Sequence, residues 1–231
     1  MFQLITPSAP GAMLNEVVLS ELEPRDTDRV IAEVIAMYAA TAHPVKWWVG
    51  PWTKPAGFGP RLTSLGFASW AVRGMTCDTS RIQRPAEGVA VDEVSEAELD
   101  AYVDAAIRGW SLPPEQAAVE RQTCLRALRA SPRHAHFFVA RIAAELAATA
   151  AVVVIDNHGY LLATQVLPAF RGRGVYRALV GARLAFLAQR GITLAVTHAR
   201  EATSGPILEH LGFETVFRSE CYLREPTVRS P

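Results

Sequence analysis

From about residue 88 onward, short apolar segments typical of strands alternate along the chain with longer amphipathic segments typical of helices. Apolar runs of ~4–8 residues are typical of strands, and apolar positions three or four apart are typical of helices that bury one face. The sequence therefore predicts, in chain order, a strand at 88–94, helices at 95–108 and 114–130, strands at 136–142, 147–155 and 160–167, a helix to about 190, a strand at 192–198, a helix that ends before 213, and a final pair of short strands within 214–224.

The first third of the chain repeats the pattern of the last third. Residues 59–67 and 205–213 are identical at six of nine positions, and both segments end in Leu-Gly-Phe. A predicted strand at 45–49 precedes the first copy, as a strand precedes the second, and a strand at 16–22 and a helix at 26–42 lie further upstream. We interpret this as an internal repeat in which a half unit, 1–82, is fused to a complete unit, 83–231.

The loop after the strand at 160–167 is the strongest candidate binding site. Gly172 and Gly174 let several backbone N–H groups turn into one hollow, and the helix that follows adds its unpaired N–H groups and the positive end of its dipole. Arg171 and Arg173 supply guanidinium groups that suit phosphate oxygens. The loop is predicted to hold a pyrophosphate.

Two familiar phosphate-binding patterns do not fit this loop. A P-loop requires a lysine after its second glycine, and no lysine follows Lys54. The dinucleotide fingerprint requires a third glycine where this chain has Arg177, and an acidic residue about 20 positions later. Residues 171–200 contain no Asp or Glu, so a dinucleotide is excluded as well.

The remaining pattern, Arg-x-x-Gly-x-(Gly/Ala) between a strand and a long helix, resembles motif A of the GCN5-related N-acetyltransferases (GNAT). The later helix that ends in Leu211-Gly212-Phe213 resembles motif B, and the resemblance covers about residues 86–225. It implies an α/β (α+β) fold with a mixed, mostly antiparallel sheet flanked by helices. It also implies that domain 83–231 binds acetyl-CoA, that domain 1–82 is a degenerate half domain, and that acetyl or acyl transfer to an amine is direct, in a ternary complex.

The resemblance assigns ten residues to the cofactor. The pantetheine arm would pair with the backbone of the strand, the pyrophosphate with loop amides and an arginine, and a small residue of motif B would complete the site. Tyr176 stands where the family usually has Gly or Ala, and we expect its ring to point away from the phosphates. The cofactor-binding residues are Gln165, Val166, Leu167, Arg171, Gly172, Arg173, Gly174, Val175, Tyr176 and Ser204.

Motif B departs from the family where chemistry is expected. The family often has a tyrosine that protonates the departing thiolate at the position of Leu208, and an asparagine at the position of Glu201. His198 is a candidate for proton transfer because an unperturbed imidazole titrates near neutrality. Glu201 is a second candidate, as a general base for the incoming ammonium. The alternative is that its carboxylate caps the helix that follows.

Three accounts of the missing tyrosine stay open. Water or substrate supplies the proton; another side chain replaces the tyrosine, the candidates being His198, Cys221 and Tyr222; or the protein binds acyl-CoA without turning it over.

The repeat predicts that only the C-terminal domain binds acyl-CoA. An offset of 146 residues places Asp26 and Asp28 over the two glycines of the loop. Carboxylates repel phosphates, and the backbone loses the freedom that glycine gives it. We expect one acyl-CoA per chain.

The composition of the chain argues against several classes of partner. A net charge of zero argues against nucleic acid, no apolar run reaches the ~18 residues of a membrane span, and the N-terminus has no secretory pattern. Three widely spaced cysteines suit free thiols in a cytoplasmic protein and show no metal-ligand spacing, so no metal is expected. The acceptor is expected to be a small-molecule or peptide amine, and a homodimer stays open.

Two aromatic groups are candidates for the acceptor side. The resemblance places the loop 109–114, which contains Trp110, beside the acceptor. Trp47, Trp48 and Trp52 lie within six residues; they are predicted to belong to a core or a domain interface, and the alternative is that the degenerate half covers the acceptor site.

Overall fold

The computed structural model describes residues 1–6, 15–81 and 86–226. They divide into two compact units. Unit 1 draws on Met1–Gly74, Ala199–Pro206 and Thr215–Pro231, and unit 2 on Met75–His198 and Ile207–Glu214. The last strand of the chain therefore groups with N-terminal residues. The domain boundary predicted between residues 82 and 83 lies outside the described residues.

Strands and helices follow the predicted order. The strands of the described residues are β1 (Phe2–Leu4), β2 (Glu16–Leu19), β3 (Val45–Val49), β4 (Ala68–Asp78), β5 (Val89–Glu93), β6 (Ala135–Ile142), β7 (Glu145–Ile155), β8 (His158–Val166), β9 (Leu194–Arg200) and β10 (Glu214–Arg224). The α-helices are α1 (Thr27–Ala40), α2 (Phe58–Ser64), α3 (Leu99–Trp110), α4 (Ala117–Arg129), α5 (Val175–Ala188) and α6 (Ser204–His210).

One predicted element is wrong. The final pair of short strands is a single strand of 11 residues, β10. The segment contains no Gly, Pro, Asn or Asp, and Ser219 is its one residue of a type that favours turns, so little in it interrupts the strand.

Unit 1 is a sheet with strand order β1-β2-β3-β10-β4. β3 runs parallel to β2 and antiparallel to β10. Helix α1 buries one face because Thr27, Ile31, Val34 and Tyr38 recur every three or four residues. That face contributes to a core that also contains Trp47, which is fully buried.

The repeat predicted from the sequence is visible in the structure. α2 and α6, and likewise β4 and β10, begin and end 146 residues apart. Each helix stops at a left-handed glycine, Gly66 (φ 84°) or Gly212 (φ 88°). The N–H of the next residue, Phe67 or Phe213, then donates to a carbonyl five residues back, at 3.2 and 3.0 Å. Leu-Gly-Phe is thus a helix C-cap followed by a buried phenylalanine.

Unit 2 is a sheet with helices on both faces. The strand order is β9-β8-β7-β6-β5, antiparallel except for the parallel pair of β8 and β9. Neighbouring residues of β6 point to opposite faces: Phe137 contacts Tyr102 of α3 (ring centroids 5.2 Å apart), and Phe138 contacts Phe186 of α5 (5.4 Å). The predicted mixed, mostly antiparallel α/β fold is confirmed.

No helix among the described residues is both long and apolar enough to cross a membrane.

Candidate active site

Strands β8 and β9 part halfway along their length. Their parallel pairing runs from His158 and Leu194 to Leu161 and Thr197, although β8 continues to Val166 and β9 to Arg200. At the same point β8 has a bulge against β7, where Ala163 adopts φ 52°. A bulge adds one residue to one strand and bends it. The β9 edge of β8 is therefore no longer paired with β9 from 162 to 166, and we call this unpaired stretch the gap.

The predicted phosphate loop has the backbone shape that an anion requires. Gly172 and Gly174 are left-handed, at φ 75° and 76°, and Gly174 is the N-cap of α5. No side chain of the described residues caps this helix end. A Cβ built on Gly172 meets no atom within 4 Å, so the loop faces open space. The first-turn N–H groups of α5 and its dipole are directed there.

The two predicted cationic side chains lie beside the loop. Arg171 and Arg173 are exposed. The Arg173 guanidinium lies 5.6 Å from the centroid of the Phe170 ring, and Arg171 Nε donates to the Val166 carbonyl at 3.3 Å. Arg171 is thereby tethered to the end of β8.

The three strand residues predicted to meet the pantetheine arm differ in orientation. Leu167 donates its N–H to the Ala147 carbonyl at 2.9 Å, and its own carbonyl accepts from Phe170 at 2.9 Å. Its main chain is already engaged. Because main-chain groups of successive strand residues point to opposite edges, Val166 faces the gap. The Gln165 side chain donates to the carbonyl of Gly109, at the end of α3.

His198 lies where β8 and β9 part, one residue beyond the last pair. Its Nδ1 is 3.0 Å from the hydroxyl of Tyr160 on β8, and the two rings are edge to face. Tyr160 was not among the predicted site residues. The register that brings the two side chains together is a property of the parallel pair, and no local sequence signal specifies it.

Glu201 and Ser204 group with unit 1, and each has a local partner. Arg73 Nη2 donates to Glu201 Oε1 at 2.5 Å, and Arg218 Nε lies 3.4 Å from Oε2. The hydrogen bond from Arg73 is the main reason that the pKa of Glu201 is lowered, which makes it a weak base. The Ser204 hydroxyl accepts from the Arg200 N–H at 2.9 Å, a local bond between the end of β9 and the start of α6. Their predicted roles stay predictions.

The residues considered as replacements for the motif B tyrosine differ in access. Leu208 is buried, as are Cys221 and Tyr222 of unit 1. Burial raises the pKa of Cys221 and that of Tyr222 to about 12 each, and the Tyr222 hydroxyl donates to Glu220. Both are therefore poor proton donors near neutrality. His198, in contrast to these two buried side chains, is exposed and accessible to a substrate.

The start of α1 in unit 1 is acidic and ion-paired. Asp26, the N-cap of α1, is right-handed (φ −97°), whereas Gly174, the N-cap of α5, is left-handed (φ 76°). Asp26 Oδ1 lies 3.0 Å from Arg29, and Asp28 Oδ1 lies 2.8 Å from Arg61. The predicted placement of Asp26 and Asp28 over the two glycines is wrong: α1 follows the 3-10 helix Pro24–Asp26 directly, whereas residues 171–174 separate the 3-10 helix Pro168–Phe170 from α5, so unit 1 lacks this loop.

The aromatic candidates divide between core and surface. Trp47 belongs to the unit 1 core and donates from Nε1 to Ser20 at 2.8 Å, as the core prediction requires. Trp52 packs edge to face on Phe217 (5.0 Å). Trp110 is 46% exposed at the end of α3 in unit 2. Residues 1–6, 15–81 and 86–226 contain no group of three or more side chains that could hold a metal ion.

A family model described as "Acetyltransferase (GNAT) family" matches residues 94–213, just over half of the chain. No curated protein matches this chain.

Solved structures with a similar fold cover most of the chain. A functionally unknown conserved protein from Staphylococcus epidermidis ATCC 12228 has a TM-score of 0.75 and 12% identity, over 96% of this chain and 89% of that chain. A GCN5-related N-acetyltransferase from Sphaerobacter thermophilus has a TM-score of 0.63 and 16% identity, over 88% of this chain and 70% of that chain. A tandem GNAT protein from the clavulanic acid biosynthesis pathway has a TM-score of 0.58 and 17% identity, over 90% of this chain and 73% of that chain. At these identities the likeness shows the fold.

Proposed function

The chain belongs to the acetyltransferase (GNAT) family, and from this premise we propose that it transfers an acetyl group from acetyl-CoA to an amine while both substrates are bound. One observation carries the proposal: in unit 2 the gap that begins after Leu161 and Thr197 leads along β8 to the loop of Gly172, which faces open space. A strand edge suits the amides of a pantetheine arm, and a loop at a helix N-terminus suits a pyrophosphate.

The residues present fit the cosubstrate. The amides from Gly172 to Tyr176 would hold the pyrophosphate, and Arg171 or Arg173 would add charge. Each amide-to-phosphate hydrogen bond is charge-assisted and is worth about 1.5–3 kcal/mol. Val166 would meet the pantetheine arm through its N–H, because its main chain faces the gap and its carbonyl accepts from Arg171. Binding would place the thioester end of the arm toward the point where the strands part.

His198 is the residue we assign to proton transfer. When its Nδ1–H donates to the Tyr160 oxygen, Nε2 carries the lone pair and can accept a proton from the acceptor ammonium. The amine nitrogen then bonds to the thioester carbonyl carbon. The C–S bond breaks as the tetrahedral intermediate collapses, the thiolate leaves with the electron pair, and the second proton of the amine nitrogen passes to the thiolate directly or through water. The acceptor is a small-molecule or peptide amine.

A second candidate function rests on Leu208. A buried leucine replaces the hydroxyl that commonly protonates the leaving thiolate in this family. The alternative is a non-catalytic module that binds acyl-CoA.

One experiment tests both candidates. Acetyl-CoA is titrated into the full chain by calorimetry, and the chain is then incubated with acetyl-CoA and a panel of amines while free thiol is followed. Binding together with amine-dependent thiol release supports the transferase. Binding without release on any amine supports the module, and the absence of binding overturns both.

A further inference from the structure

Arg183 is a buried cation in the middle of α5. It is 1% exposed and is among the largest fully buried side chains of the protein. None of the ion pairs among the described residues involves it. Its guanidinium instead donates to three main-chain carbonyls: Nε to Leu179 at 3.0 Å, and Nη1 to Ala151 at 3.0 Å and to Leu162 at 3.4 Å.

This arrangement is unfavourable for stability alone. Burying a charge without a counter-ion is costly, and an apolar side chain of similar volume is often as stable or more so. Burial lowers the pKa of Arg183 to about 10, so the group stays protonated near neutrality. Its neighbours along the buried side of α5 are apolar, including Leu179 and Leu187. A cation at this position therefore points to a requirement other than packing.

The carbonyls that Arg183 binds mark the place where the gap begins. Ala151 and Leu162 form the last β7–β8 pair before the bulge. On the other edge of β8, the Leu161 carbonyl accepts from the Thr197 hydroxyl at 2.7 Å. Two consecutive β8 carbonyls are thus bound by side chains at the point where the β8–β9 pairing stops.

The same helix begins at the phosphate loop. Arg183 lies eight residues after Val175, or roughly 12 Å along the axis at 1.5 Å per residue. α5 is a rigid element, so it fixes the separation between the loop at its start and the bulge that Arg183 holds. These are the two ends of the path assigned to the cosubstrate.

We propose that Arg183 is a positioning residue for acyl-CoA, which holds the bulge of β8 in register with the phosphate loop and so keeps the gap between β8 and β9 open. This inference rests on the proposed function. Arg183 acts through Ala151 and Leu162, and it needs no contact with the reacting atoms.

The test uses three variants of the full chain. Arg183→Met removes the donors at similar length, Arg183→Lys keeps a cation with fewer directed donors, and Leu184→Ala is the control. Leu184 is equally buried on the same helix, and its side chain cannot hydrogen-bond to the bulge. Each variant is measured for acetyl-CoA affinity by calorimetry, for melting temperature, and for hydrogen–deuterium exchange of the amides at 162–167.

We expect Arg183→Met to weaken acetyl-CoA binding at least tenfold and to speed exchange at 162–167, without a fall in melting temperature that accounts for either. The acetyl-CoA affinity and the exchange rate of Arg183→Lys should lie between those of Arg183→Met and the wild type. If Arg183→Met does not fold, Arg183→Lys takes its place in the test. Leu184→Ala should melt lower yet bind acetyl-CoA within twofold of wild type.

Two results would overturn the inference. One is wild-type affinity in the Arg183 variants. The other is exchange at 162–167 no faster than in Leu184→Ala. A wild-type chain that does not bind acetyl-CoA would instead reject the proposed function, and in that case the exchange measurement alone would decide whether Arg183 holds the bulge.

Discussion

The Tyr160 hydroxyl lies 3.0 Å from Nδ1 of His198, on neighbouring parallel strands at the point where these strands part. A hydrogen bond to one ring nitrogen fixes the orientation of an imidazole and decides which nitrogen is basic. The pair thus places an oriented imidazole at the inner end of the proposed cosubstrate path. It also supplies a titratable group that the motif B position, Leu208, lacks.

Replacing His198 by alanine should slow turnover without weakening cosubstrate binding. General base catalysis contributes about 10²–10⁴-fold, so we expect kcat to fall at least about 100-fold. The Kd for acetyl-CoA, measured by calorimetry, should stay within twofold, because the loop at 171–176 is unchanged. An unaltered kcat in His198→Ala would remove this residue from the mechanism.

Tyr160→Phe tests orientation rather than proton transfer. The variant keeps the ring that packs edge to face on His198 and removes the hydroxyl. A single neutral hydrogen bond is worth about 0.5–1.5 kcal/mol, which predicts a loss of roughly 2–10-fold in kcat. In the double variant with His198→Ala, the second change should cost nothing further, because residues that act as a unit are not additive. Additive losses would show that Tyr160 acts independently.

Much of the fold was predictable because local patterns specify it. The order of elements, the repeat and the loop at 171–176 follow from apolar spacing, from Leu-Gly-Phe and from two glycines. β10 was mispredicted as two strands, although the segment contains no Gly, Pro, Asn or Asp to turn the chain.

The site was less predictable because it depends on register. The contact between Tyr160 and His198 requires the pairing of β8 with β9, which neither strand encodes alone. Arg183 did leave a signal. It lies four residues from both Leu179 and Leu187, on the buried side of α5. A charged residue in such a row indicates a buried polar contact, although its partners are carbonyls of distant strands.

Gly172→Asp should abolish acetyl-CoA binding. Aspartate tolerates the left-handed conformation, and a Cβ on Gly172 meets no atom within 4 Å, so the change mainly adds a carboxylate beside the phosphates. At about 4 Å and an effective dielectric constant of 20 this repulsion is about 4 kcal/mol, and after screening by salt we expect Kd to rise at least ~100-fold. The control is Gly191→Asp, which adds the same charge at another left-handed glycine (φ 73°) beyond the far end of α5. Equal affinities in the two variants would refute the loop assignment.

Calorimetry should also give one acetyl-CoA per chain. Ion pairs to Arg29 and Arg61 hold Asp26 and Asp28 at the start of α1, and the backbone there is right-handed. Gly172→Asp should therefore remove all binding rather than half of it. A stoichiometry near two in the wild type, or a residual site in the variant, would show that unit 1 is loaded as well.

Glu201→Gln should affect stability more than turnover. The hydrogen bond from Arg73 lowers the pKa of Glu201, so the ionised carboxylate stabilises the folded state. That stability is fully present above the pKa of the unfolded chain, near 4.3, and is lost as the pH falls through the lower folded value. The melting temperature of Glu201→Gln should therefore lie below that of the wild type at pH 7, and the two should converge as the pH falls below about 4. Turnover at pH 7 should stay within about threefold, since a carboxylate held by two arginines is a weak base. A loss of 100-fold or more in kcat with unchanged acetyl-CoA affinity would make Glu201 the general base instead of His198.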